Sequence, residues 1–174
     1  NLLTTIIAME ALGYSCRDNG LVFSLNAQMW AFEMPILHFG TEEQKSRYLP
    51  GVCSGEIIGA HAVSEPDFGS DAMGMTTRYR KDGEEYILDG GKTFVTNGPV
   101  ADVFLAFATF DPRFKAAGVT AFLVERGTPG MTISTPTAGQ EWGSDTMVET
   151  MERLAALDVR IMTTFAETPF ARAA

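Results

Sequence analysis

The 174-residue sequence is poor in the residues that most easily betray chemistry. It has two cysteines, Cys16 and Cys53, and two histidines, His38 and His61. Two thiols, one on a predicted helix and one in a loop, cannot build a disulfide framework, and reduced thiols in a cytosolic setting are the simpler reading. Neither histidine has a partner at ligand spacing and no Cys-x-x-Cys occurs, so no metal site is expected. His38 reads instead as a helix-end residue. Basic residues are also scarce: 13 Lys and Arg stand against 22 Asp and Glu, for a net charge of −9. That balance argues against non-specific nucleic-acid binding, which needs a basic face, and disfavours docking to anionic membranes. No run of about 18 apolar residues exists, so no transmembrane helix is expected. No charged-then-apolar leader opens the chain. Gly-x-Ser-x-Gly, Gly-x-Gly-x-x-Gly and Walker patterns are missing, which removes the usual hydrolase elbow and nucleotide loops. His61, Ser64 and Asp67 lie close in sequence, but alternation puts His61 and Ser64 on opposite strand faces, which argues against a catalytic triad.

Apolar residues make up 45% and charged residues 20%, a globular balance. The length suits one ordinary domain or two small ones. The first residue is Asn, from which the chain is expected to be a fragment. Leu3, Ile6, Ile7, Met9 and Leu12 follow helical spacing from Leu2 to about Tyr14. A second helix is expected from about Leu21 to His38, kinked at Pro35 and stopped at Gly40. Thr41-Glu42-Glu43-Gln44 is a capping box that starts a short helix to about Leu49, closed by Pro50-Gly51.

From Ile57 the period turns to β. Apolar runs at 57–63, 75–80, 86–89, 92–96, 103–109, 119–124 and 131–134 alternate with Asp-Gly, Asn-Gly and Pro-Gly turns. The expected fold is α+β: helical residues 1–55, then an antiparallel β-barrel or sandwich-like domain at 56–134. Residues 135–174 read as a loop and an amphipathic helix from Asp145 through Leu157, Ile161 and Phe165, closed by Pro169.

Two strand ends carry the chemistry. Pro66 cannot continue a ladder, so the first strand should stop near Ser64 and leave its hydroxyl at the rim. A turn-capping serine is the plainer alternative. Gly69 allows a positive-φ turn, and the amides around Ser70 suit an anion; an Asx turn at Asp71 is the rival. Alternation puts Phe94 and Thr96 on one strand face, an aromatic beside a hydroxyl, able to stack on a ring and bond it; a core Phe and a hairpin Asn-Gly fit as well.

The order and spacing of several motifs resemble the acyl-CoA dehydrogenase family over roughly residues 2–134. They are Met9-Glu10-Ala11-Leu12-Gly13, Gly40 to Lys45 with Tyr48-Leu49-Pro50, Gly55-Glu56 and Ser64 to Asp71. Asp89 to Gly98, Ala101-Asp102-Val103 and Pro129-Gly130 complete the set. The family more often has Thr at the position of Ser64 and Ala or Gly at those of Asp67 and Phe68. The resemblance implies an FAD site. Ser64 would bond the flavin pyrimidine edge, Phe94 would pack on the isoalloxazine and Thr96 would bond near N5. His61, Ala62 and Val63 would line the site, and Gly69 and Ser70 would lie near the pyrophosphate. Ser70 and Val63 would also meet the acyl thioester.

The implied reaction is α,β-dehydrogenation of an acyl-CoA in fatty-acid β-oxidation. Electrons would pass to an electron-transfer flavoprotein-type acceptor. A homo-oligomer, dimer or tetramer, is implied, in the cytoplasm or, in a eukaryote, the mitochondrial matrix. The family's Glu base belongs to a C-terminal helical bundle that is not recognisable here, so no catalytic residue is assigned and Glu149, Glu152 and Glu167 have no warrant for that role. The chain alone is expected to be inactive, because a base must reach its proton. Alternatives are an acyl-CoA oxidase or flavin monooxygenase of the same fold, or a non-catalytic remnant that binds an acyl thioester.

Overall fold

The structure, a computed structural model, describes residues 2–134 and, as backbone alone, residues 159–163. Helices come first. α1 spans Leu2–Ser15 and α2 spans Asn19–Gln28. The Asp18 carboxylate caps α2 by accepting from the Leu21 amide at 3.1 Å. The second expected helix is broken into pieces. α2 passes into a π-helical turn, Met29–Glu33, and then into α3, Met34–Phe39. Pro35 has no amide to give the carbonyl four residues back, and the ladder widens just before it, with the Met34 amide on the Met29 carbonyl.

α4 spans Glu42–Ser54. Its capping box forms as expected: the Thr41 hydroxyl accepts from the Gln44 amide at 3.2 Å, and the Gln44 side chain accepts from the Thr41 amide at 2.9 Å. The helix does not stop at Leu49. It continues through Pro50 and ends at Gly55, which adopts φ 81°. Tyr48 and Val52, on either side of the proline, are both buried, and that packing outweighs the one lost ladder bond.

The strands are β1 (Gly59–Ala62), β2 (Arg78–Asp82), β3 (Glu85–Gly90), β4 (Val103–Thr109), β5 (Val119–Glu125) and β6 (Val159–Thr163). They form one sheet in the order β1-β4-β2-β3-β6, with β5 also on β4. The β2–β3 hairpin turns at Gly83, φ 64°, as the Asp82-Gly83 signal predicts. The pairs β2–β3, β4–β5 and β3–β6 are antiparallel. β1–β4 and the β2–β4 bridge at Arg78↔Thr109 are parallel, which the expectation of an antiparallel barrel or sandwich-like unit did not include. β5 occupies one edge of β4 throughout, while β1 and β2 share the other edge. The sheet therefore curls around β4.

Alternation along β4 divides the core. Phe104, Ala106 and Ala108 pack with Leu88, Phe122 and Val124 on one face. Val103 and Leu105 pack with Leu123 and, from the helices, Phe32, Ile36, Tyr48 and Val52 on the other. The α+β reading holds. The runs 92–96 and 131–134 are not strands. The tail helix expected from Asp145 is corrected where it can be seen: Val159–Thr163 is strand β6, whose backbone pairs with β3. The rest of that expected helix, with Glu149, Glu152 and Glu167, lies outside the described residues.

Candidate functional site

β1 ends at Ala62, and the chain leaves the sheet through Val63 and Ser64. A tight turn follows, in which Glu65 and Phe68 exchange backbone bonds at 3.0 and 3.2 Å around Pro66-Asp67. The second segment, Thr93 to Gly98, is a turn instead of the expected strand. The Thr93 amide donates to the Ser64 carbonyl at 2.9 Å, which docks the two segments together. Phe94 then takes φ 54° and Asn97 φ 66°. Positive φ at a bulky aromatic is a strained state, and it persists only where surroundings fix it. Here it turns the Phe94 ring outward, 55% exposed. Arg126 secures the far end of the turn by donating to the carbonyls of Ala101, Gly98 and Pro99 at 2.6, 3.0 and 2.9 Å.

Helix α2 closes one side. The Ser24 hydroxyl donates to the Asn97 side chain at 2.6 Å, and the Gly59 amide donates to the Gln28 side chain at 3.2 Å. Gly59 must be small, because a Cβ there would stand 2.2 Å from the Phe32 ring.

These elements enclose an open cleft of about 150 Å³. Gly59, Ala60, His61, Val63 and Ser64 line it from β1 and its exit, Thr93, Phe94 and Thr96 from the turn, and Ala27 and Ala31 from the helices. Thus His61, Val63, Ser64, Phe94 and Thr96 meet in one place. Phe94 and Thr96 share it through a turn and not through strand alternation. His61 and Ser64 also share it, contrary to the opposite-face expectation, because alternation stops with the strand at Ala62. Ala62 is buried beside the cleft and does not line it. Gly69 and Ser70 are exposed outside it, and Gly69 does not take the expected positive φ. The reason is that the turn is closed by the Glu65–Phe68 bonds before Gly69 is reached.

Burial, and then the nearby Lys92 cation, lower the His61 pKa below 6.5, so the ring is neutral at pH 7. It stands edge-on to Phe107 at 5.2 Å. None of the described residues lining the cleft is a carboxylate. The cleft offers hydroxyls, an exposed aromatic face and a neutral imidazole, a set suited to a flat polar ring system.

Sequence reasoning missed two features. Thr93, which strand alternation would put on the face opposite Phe94 and Thr96, lines the cleft, and its buried hydroxyl has no partner among the described residues. Glu65 and Lys92 form a buried ion pair at 2.7 Å beneath the site. Glu65 lies in the Ser64–Asp71 motif and Lys92 in the Asp89–Gly98 motif, but no local rule links positions 27 apart.

Comparison with known proteins agrees with these motifs. The family model described as acyl-CoA dehydrogenase, middle domain, matches residues 60–151, and the N-terminal domain model of the same family matches residues 1–56. An L-prolyl-[peptidyl-carrier protein] dehydrogenase of Pseudomonas fluorescens is 45% identical over 136 residues, 77% of this chain and 36% of that protein. A Bacillus subtilis acyl-CoA dehydrogenase is 38% identical over 76% of this chain and 35% of its own length. Among solved structures, the prolyl acyl carrier protein oxidase AnaB superposes with a TM-score of 0.81 at 43% identity, over 97% of this chain and 43% of that one. PigA with FAD and proline gives 0.71 at 44% identity, over 72% and 33%. The chain spans about a third of the length of the curated relatives it matches.

Proposed function

This chain belongs to the acyl-CoA dehydrogenase family, and from that premise we propose that it forms the flavin-holding part of an enzyme that desaturates a thioester-linked acyl group between Cα and Cβ. FAD is the family's cofactor. The observation that carries the proposal is the convergence of Ser64, Thr93, Phe94 and Thr96 on one cleft. The Thr93 hydroxyl tests the fit: a buried donor without a partner among the described residues suits a site completed by a polar group from outside. FAD passes that test.

When bound, FAD supplies the acceptor for the β-hydride. The residues of this chain hold and orient. Ser64, Thr93 and Thr96 offer hydroxyl donors to a heteroatom-rich ring edge, and preformed donors favour charge that develops there. Phe94 offers its exposed face for ring packing. His61, neutral, adds a polar neighbour without a charge. In this reading Val63 meets the acyl thioester, while Gly69 and Ser70, both exposed, lie toward the pyrophosphate. The cleft volume is below the roughly 300 Å³ at which ligand pockets begin. It grips an edge of the ring system, and other parts of the enzyme cover the rest. The base that removes the α-proton also comes from elsewhere in the enzyme, and the electrons leave to an electron-transfer flavoprotein-type acceptor.

A second reading concerns the thioester. Relatives that act on a prolyl group held by a peptidyl carrier protein match at 44–45% identity, against 38% for the Bacillus subtilis acyl-CoA dehydrogenase. The AnaB match, over nearly the whole chain, points the same way and adds an oxidase. Anaerobic mixing of the flavin-loaded full-length protein with butyryl-CoA, or with prolyl-loaded carrier protein, tests both. Bleaching of the flavin by one of them names the carrier, and reoxidation by air alone would identify an oxidase. A flavin that neither thioester bleaches would overturn the proposal.

A further inference from the structure

Lys92 is placed where lysines are rare: its side chain is 10% exposed and that of Glu65, which it meets, is 2% exposed. The ammonium is fully engaged. It donates to Glu65 at 2.7 Å and to the Val63 carbonyl at 3.0 Å, and it touches the Met75 sulfur at 3.8 Å. The carboxylate is engaged as well. One oxygen also accepts from the Thr77 amide at 3.0 Å; the other accepts from the Thr76 amide at 2.6 Å and the Thr76 hydroxyl at 2.8 Å.

These contacts have a pattern. Lys92 binds the Val63 carbonyl, and the next residue's amide binds the Ser64 carbonyl. Two successive carbonyls of one cleft wall are therefore pinned by two successive residues of the other. The three segments that meet at the carboxylate, 63–65, 75–77 and 92–93, all lie outside strands and helices. No ladder sets their spacing. A buried ion pair adds little net stability over an apolar pair of the same shape, so stability alone does not account for it.

We propose that Glu65 and Lys92 are positioning residues that set the separation and orientation of the two walls of the flavin cleft. The proposal rests on the flavin reading of that cleft. It is tested in the full-length protein with Lys92→Met, Glu65→Gln and the double variant. Hydrogen exchange at the Thr93 and Thr77 amides is read without flavin; FAD affinity is read by fluorescence quenching, and thermal midpoints are read alongside. Each single variant should lose Thr93 protection and bind FAD about tenfold more weakly or worse, a loss equivalent to one wall bond. In the double variant the midpoint should recover, because no buried charge is left alone, while FAD affinity stays low. Unchanged Thr93 exchange and affinity in the single variants would overturn the proposal. So would a double variant that recovers affinity together with its midpoint, the behaviour of a purely structural pair. If wild-type protein does not take FAD, the flavin reading fails, and the exchange measurement alone decides whether the pair positions the walls.

Discussion

Replacing Gly59 by alanine sets one methyl group against the ring of Phe32. The added Cβ would lie 2.2, 2.4 and 2.5 Å from Cδ1, Cγ and Cε1 of Phe32, a ring with no exposed surface. Ordinary carbon contacts begin near 3.5 Å, so ring or strand must move by about 1.3 Å. Overpacking of this kind costs roughly 1–3 kcal/mol. Three ring atoms are struck at once and Ile36 and Val52 pack around the same ring, so the upper half of that range applies. Against it stands the stiffer unfolded chain that alanine gives, worth about 0.4–1 kcal/mol at a glycine of ordinary φ. The net loss should be about 1–2.6 kcal/mol, read from the urea midpoint at constant slope. A double-mutant cycle isolates the cause. Phe32→Ala alone should cost about 3–5 kcal/mol, and adding Gly59→Ala to it should cost nothing further. If Gly59→Ala is neutral, or if the two losses add, the steric reasoning is wrong.

Other substitutions test the site and the helices. Thr96→Ala should weaken FAD binding or slow flavin reduction in the full-length protein, because a donor at the ring edge is removed; unchanged titration and stopped-flow traces would count against that role. Thr41→Ala should destabilise by about 1 kcal/mol, as loss of an N-cap does, in a thermal melt. Acid should act through Glu65. Burial alone would raise its pKa, but its bonds to Lys92, Thr77 and Thr76 bring it down to about 2, from 4.5. A carboxyl lowered on folding stabilises above its unfolded value, and that contribution is lost as pH falls from 4.5 toward 2. The acid limb of a pH-stability curve should therefore be shallower in Glu65→Gln than in the wild type.

Local rules made much of this fold legible. Thr41 and Gln44 announced their capping box because both partners lie within one turn. Asp82-Gly83 announced its hairpin, and 103–109 its strand. Pro66 marked the end of β1 within two residues. What escaped notice was set by distant contacts. The alternating Thr93-Phe94-Val95-Thr96 has the look of a strand, yet the Thr93 amide is taken by Ser64, and Phe94 leaves β geometry at once. Residues 75–77 read as strand but are held as an irregular strap by Glu65. Pro50 looked like a stop because packing by Tyr48 and Val52 is invisible in one dimension. In the site, the hydroxyls of Ser64 and Thr96 and the ring of Phe94 could be picked out from the chain alone. Thr93 and the Glu65–Lys92 pair could not, since their partners come from residues 63–65 and 75–77, far away in the chain.

The wide turn at Met29–Glu33 has a bearing on shortened versions of this protein. Delete a single residue there and the helix would close into regular geometry, swinging everything before it by about 100°. Ser24 would leave Asn97, and Gln28 would leave the Gly59 amide, although none of these side chains had been altered. The fastening of α2 to the sheet thus depends on a count of residues as much as on their identities.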